Sequence, residues 1–150
     1  DNDPRLYSDF RNLTSDDKHA LRVQYRALPA EKRNELGTIL FLLGRELTGP
    51  EDFGFFEEVL KEKPCLSLAD CSQDSKPVAG EDHHHDDSVE VTLNYPQIVA
   101  LQKIADRLSN GNPLTSEEKE SALRIIRLAE TSGIPAIQSK AKDVRAAFDR

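Results

Sequence analysis

Along most of the chain, apolar residues recur three and four positions apart, the period of a helix with one buried face. In "SDDKHALRVQYRAL", Leu21, Tyr25 and Leu28 stand at i, i+4 and i+7. Thr14, followed by Asp16 and Asp17, has the chemistry of an N-cap and an acidic first turn. The spacing predicts a helix over about residues 15–28. Pro29 opens "AEKRNELGTILFLLGREL", where Leu36, Ile39, Leu40, Leu43 and Leu47 make a continuous stripe that Phe41 and Leu42 widen. A helix this apolar belongs at the centre of a core. "LTGPEDFGFFEEVL" then packs a stop and a start into four residues, with Thr48 or Gly49 at the junction and Pro50 at the first helical position. Phe56, Val59 and Leu60, with Phe53 and Phe55 nearby, give this third helix its apolar face, and Gly54 weakens its start by about 1 kcal/mol relative to Ala.

Helical periodicity lapses at Pro64 and resumes near Tyr95 and Pro96. "YPQIVALQKIADRLSNG" places Ile98, Leu101, Ala105 and Leu108 on one face and ends at Asn110 or Gly111. "LTSEEKESALRIIRLAETSG" opens with Thr115 and Glu118 spaced as a capping box and ends at Gly133. "IPAIQSKAKDVRAAFD" carries Ile134, Ile137, Ala141, Val144 and Phe148 at helical spacing, with Pro135 in its first turn. Residues 1–150 therefore read as one all-α domain of six amphipathic helices, with a long acidic loop, residues 64–93, inserted between helices. Val89 to Leu93 alternate, but one short extended piece makes no sheet. No stretch is long and apolar enough to span a bilayer, so no membrane insertion is expected.

Charge is uneven. Residues 1–63 carry ten basic and thirteen acidic side chains, residues 64–93 one basic and seven acidic, and residues 94–150 nine basic and seven acidic, for a net −7. Such a surface repels phosphate backbones, so nucleic acid is not an expected partner. The basic residues of the last helices, Arg124, Arg127, Lys140, Lys142 and Arg145, read as solvated faces. His19 reads as a surface residue, and neighbouring acids such as Glu57 and Glu58 as solvated or dipole partners. The chain has no Gly-rich phosphate loop, nucleophile elbow or metalloprotease signature, and the expectation is a protein that is not an enzyme.

The inserted loop holds the remaining chemistry, as long loops in small domains usually do. Its two cysteines, Cys65 and Cys71 in "CLSLADC", are the only ones in the chain and close enough for a local disulfide. Such a bond would contribute about 2 kcal/mol, pinning a loop without creating the fold. It suits an oxidising compartment, and with no Met anywhere in the chain the reading is an exported protein, periplasmic or extracellular after removal of a leader. Two free thiols in a cytosolic protein are the alternative. In "GEDHHHDDSVE", His83, His84 and His85 stand between Asp82 and Asp86, with Glu81 and Asp87 beyond. Successive residues of an extended chain point to opposite sides, so a His pair with a carboxylate is the plausible ligand set, and Zn, Cu and Ni suit it by ligand type. The same histidines, beside acids, would titrate near neutrality and make the loop pH-sensitive.

"LLGRELTGPEDFGFFEEVL" resembles the helix, tight Gly-Pro turn and helix of HEAT-type and armadillo-type repeats, and "RLAETSGIPAIQSKAKDV" has a similar junction. The resemblance covers two loose units. The turn Asp and placed basic residue of regular repeats are not evident, and the insertion interrupts any period. It implies antiparallel helical hairpins stacked as a HEAT-like repeat, while a small bundle fits the same residues. It further implies a surface that binds a protein partner. Tyr7, Phe10 and Tyr95 are candidate partner-binding aromatics, though each also suits a core position. The expected function is an exported protein-binding or scaffold domain; the alternative is a metal-binding or metal-responsive protein centred on His83 to His85.

Overall fold

The computed structural model describes residues 13–62 and 94–150. Within them the regular structure is helical: α1 (Ser15–Ala27), α2 (Arg33–Leu43), α3 (Gly49–Lys61), α4 (Tyr95–Ser109), α5 (Ser116–Glu130) and α6 (Pro135–Asp149), with a 3-10 turn, Gly44–Glu46, after α2. All six expected helices are present, and no strand occurs among the described residues.

Local signals set the ends. At α1 the Asp17 N–H donates to Thr14 Oγ1 at 3.1 Å while the Thr14 N–H donates to Asp17 Oδ2 at 3.0 Å. Thr115 and Glu118 form the same reciprocal pair at α5. These caps satisfy first-turn donors that have no partner within the helix. Proline occupies the first turn of α3, α4 and α6, where its missing N–H costs nothing.

The second helix is shorter than its apolar stripe suggests. Pro29 to Lys32 form a turn, closed by the Lys32 N–H on the Pro29 carbonyl at 3.0 Å, and α2 begins only at Arg33. Leu47 lies beyond the helix yet is buried, because the 3-10 turn folds it back into the core. Phe41 does not widen the buried stripe and is 38% exposed. At about 100° per residue it sits about 140° around the helix from Leu36.

Packing joins elements that are one or two apart in chain order. α4 lies between α2 and α6 and touches α3 and α5; α3 packs beside α5, α5 against α6, and α1 on α2. Side chains also bridge α1 to α3: the Tyr25 and Phe55 rings meet edge to face, with centroids 5.4 Å apart. α2 and α3, although joined by the short junction, find their main partners elsewhere. One core runs through all six helices, with Leu40, Phe53, Phe56, Leu101, Ile104, Ile125, Ile126 and Val144 fully enclosed. Close approach of α2 and α4 requires Gly37, because a Cβ there would fall 2.1 Å from Tyr95 Cδ2.

Candidate functional site

The junction between α2 and α3 is held by side chains from α1, α4 and α5. Lys18, buried on α1, donates from Nζ to the Glu46 carbonyl at 2.9 Å and to Asp52 Oδ2 at 2.6 Å. Asp52 also accepts from the Thr48 N–H at 2.9 Å and from Arg22 at 3.4 Å. On the other side, Arg107 of α4 donates from Nε to the Leu47 carbonyl at 3.0 Å and from Nη1 to the Asn112 carbonyl at 2.8 Å. Glu118 Oε2 accepts the Gly49 N–H at 2.7 Å. The carboxylate that caps α5 thus also satisfies the first N–H of α3, where Thr48 makes no side-chain cap. Gly49 has φ of 79°, a conformation that glycine alone adopts at little cost. Burial raises the Glu118 carboxyl, but the N–H donors of Thr115 and Gly49, with Arg107 close by, outweigh it and hold the group below the usual carboxylate range.

This anchoring gives fixed walls to a groove of about 610 Å³ between the junction and the C-terminal half of α4. Phe41 forms a ledge at its side. Lys103 Nζ lies 3.9 Å from the Phe41 ring centroid, and Arg45 Cζ lies 5.5 Å from it. A cation over an aromatic face is attracted by the ring quadrupole, by about 0.5–1 kcal/mol when exposed and more when desolvated. Gly44 sets the Lys103 position, since a Cβ there would lie 2.3 Å from Lys103 Cγ and 2.6 Å from its Cβ. The lysine stem therefore lies along bare backbone while its ammonium reaches the ring. Burial pulls the Lys103 ammonium below the usual lysine range; Asp106, 4.0 Å away, opposes this, and Arg45 adds to it. Asn110 and Asn112 complete the polar rim. The groove is lined by three cations, Arg45, Lys103 and Arg107, and two acids, Glu46 and Asp106, in a chain whose net charge is −7. An aromatic shelf beside a partly desolvated ammonium can take an apolar group and a hydrogen-bond acceptor side by side.

Tyr95, a candidate contact residue from the sequence, is half-buried, with its ring against Gly37 on α2. His19 is exposed, as expected. The basic residues of the last helices are partly engaged: Arg124 pairs with Glu57 at 2.8 Å, Arg145 with Glu130 at 2.9 Å, and Lys140 with Gln102. Tyr7, Phe10, Cys65, Cys71, Asp82, Asp86 and the three histidines His83 to His85 lie outside the described residues. Among the described residues, no group of three or more His, Cys, Asp or Glu is placed to hold a metal ion, and no helix is long and apolar enough to cross a membrane. Sequence reasoning missed the groove, although part of its signal was present: Phe41 and Arg45 are four apart on one helical face. Lys103 carries no such cue, because only the α2–α4 packing brings it to Phe41.

The chain matches no protein-family model, and neither the curated proteins nor the solved structures contain a match to it.

Proposed function

We propose that this chain is a helical-repeat protein-binding domain of an exported protein, and that its contact surface is the groove between Phe41 and Arg107. Its occupant is an extended acidic segment of a partner protein. The observation that carries the reading is the Lys103 ammonium held over the ring of the partly exposed Phe41 by the bare backbone of Gly44. An acidic side chain entering there would replace hydration that Lys103 has already lost, so part of the desolvation cost of binding is met in advance.

The packing order supports the repeat reading. Main contacts that run to the next helix or the one after it are those of stacked hairpins. On this reading the hairpins are α1 with α2, α3 with α4, and α5 with α6. The Gly-Pro junction then links successive units, a different framing from the one its sequence suggests. Export rests on the spacing of Cys65 and Cys71 and on the absence of other cysteines.

Panning a display library of short random peptides against the protein tests the reading. Acidic peptides carrying an apolar residue should be enriched, and Phe41→Ala or Lys103→Glu should weaken the best of them about tenfold or more. Their affinity should fall with added salt. Enriched peptides without acidic bias, or equally tight binding by both variants, would refute the assignment.

A further inference from the structure

The cations that line the groove are not equally available. Arg107 is committed to the carbonyls of Leu47 and Asn112. Among the described residues Lys103 Nζ donates no hydrogen bond, and the acid paired with it is Asp106, three positions on along α4, with Oδ2 4.0 Å away. That separation lies beyond hydrogen-bond range. The other carboxylate oxygen is held, since Asp106 Oδ1 accepts from Gln102 Nε2 at 2.8 Å. The Gln102 amide is in turn fixed by Lys140 of α6, whose ammonium donates to Gln102 Oε1 and also pairs with Asp143 at 3.8 Å. A lysine only donates, so this contact sets the amide with its nitrogen toward Asp106. Lys140, Gln102, Asp106 and Lys103 thus form a chain of polar contacts from α6 across α4 into the groove. Asp106 and Lys103 line it, whereas Gln102 and Lys140 do not.

From a carboxylate with one oxygen anchored and the other standing off the groove's ammonium, we infer that Asp106 is the specificity-determining residue of the groove, a resident acid that competes with an incoming carboxylate for Lys103. The inference rests on the groove as the contact surface. An entering carboxylate both replaces Asp106 as the partner of Lys103 and is repelled by it, whereas a neutral group resting on Phe41 meets neither effect. Gln102 limits the competition by holding Asp106 out of contact. Without that bond Asp106 is free to close to hydrogen-bond distance and occupy the ammonium. Gln102 and Lys140 are therefore positioning residues that act through Asp106.

The arrangement also has a signature without any ligand. Burial holds the Lys103 ammonium below the usual lysine range, Asp106 opposes this, and Arg45 adds to it. Removing the Asp106 charge lowers the Lys103 titration further, and letting Asp106 approach raises it. Glu46 and Arg107 line the same groove and are left unchanged by either substitution.

The probe is a tetrapeptide alternating leucine and glutamate, blocked at both ends, with its glutamine counterpart as the neutral control. Each is titrated into the full chain and followed by heteronuclear NMR. Asp106→Asn keeps an acceptor for Gln102 and removes the charge. It should bind the glutamate peptide about fivefold more tightly than wild type and the glutamine peptide equally, within about twofold. Gln102→Leu should weaken the glutamate peptide about threefold, and adding it to Asp106→Asn should change nothing. Without peptide, the Lys103 side-chain titration should move to lower pH in Asp106→Asn and to higher pH in Gln102→Leu. The inference is overturned if Asp106→Asn tightens both peptides alike or neither, or if Gln102→Leu carries the same penalty in both backgrounds. The two readings fail differently. A glutamate peptide that binds at Phe41 and Lys103 with equal affinity in every variant removes the role of Asp106 and leaves the groove. A peptide that moves none of these signals in wild type or Asp106→Asn, while the Lys103 titration shifts as expected, removes the groove reading and the specificity role with it.

Discussion

Substituting Gly37 by Ala in the middle of α2 sets two well-characterised effects against each other. In an unconstrained helix interior the change stabilises by about 1 kcal/mol, because glycine loses more backbone freedom on folding. Here the new Cβ would lie 2.1 Å from Tyr95 Cδ2, 2.3 Å from Cε2 and 3.1 Å from Cγ. A flat ring rooted in the first turn of α4 cannot bend away, so α2 and α4 must separate or Tyr95 must leave its rotamer. Overpacking of this kind costs about 1–3 kcal/mol, and for contacts so short the upper part of that range applies. Net destabilisation of about 2 kcal/mol is expected, or roughly 4–8 °C in Tm for a chain of this length. Urea denaturation of four proteins decides it: wild type, Gly37→Ala, Tyr95→Ala and the double variant. With the ring removed only the helical gain remains, so Gly37→Ala should reverse sign and stabilise the Tyr95→Ala background by up to about 1 kcal/mol. The cycle then gives a coupling energy of about 3 kcal/mol. Stabilisation of the wild type by Gly37→Ala, or the same penalty in both backgrounds, would show that the Gly37–Tyr95 contact does not govern the spacing of α2 and α4.

Two further outcomes test the junction that supports the groove. Asp52→Ala should cost about 3 kcal/mol by leaving the buried Lys18 ammonium without a countercharge and with only the Glu46 carbonyl, whereas Lys18→Met should cost about 1 kcal/mol, because Asp52 keeps the Thr48 N–H and Arg22; urea midpoints showing the reverse order would refute this account. Glu118→Ala should cost about 2–3 kcal/mol at neutral pH through lost charge-assisted bonds at two helix starts. Because the folded-state value of Glu118 is depressed, its contribution is present above the ordinary carboxylate pKa and lost as pH falls through the depressed one. The gap between wild type and variant should therefore close in acid, and a gap independent of pH would contradict the assignment.

The contrast between what the sequence discloses and what it conceals follows from the range of the interactions. Thr14 with Asp17 and Thr115 with Glu118 act across three residues, so their caps are legible as spacing, and the six helices follow from them and from the apolar period. Glu118 shows the limit. Its own helix explains why an acid stands at that position, yet its second oxygen closes the start of α3, sixty-nine residues away in sequence, and no spacing rule encodes that. Lys18 and Asp52 are likewise separated by thirty-four residues, and each alone reads as an ordinary surface charge. Phe41 is the instructive case for the candidate site. Apolar counting assigns it to the core because it adjoins Leu40 and Leu42, but helical geometry turns it outward, and the partner that gives it a role, Lys103, is fixed by Gly44 across the α2–α4 contact. Gly44 itself adopts an ordinary right-handed conformation, so it is required for space and not for backbone freedom. Gly37 and Gly44 both lie where the neighbouring α4 side chain needs room, which makes the bare backbone of α2 and its 3-10 extension the feature that both brings the helices together and shapes the groove beside them.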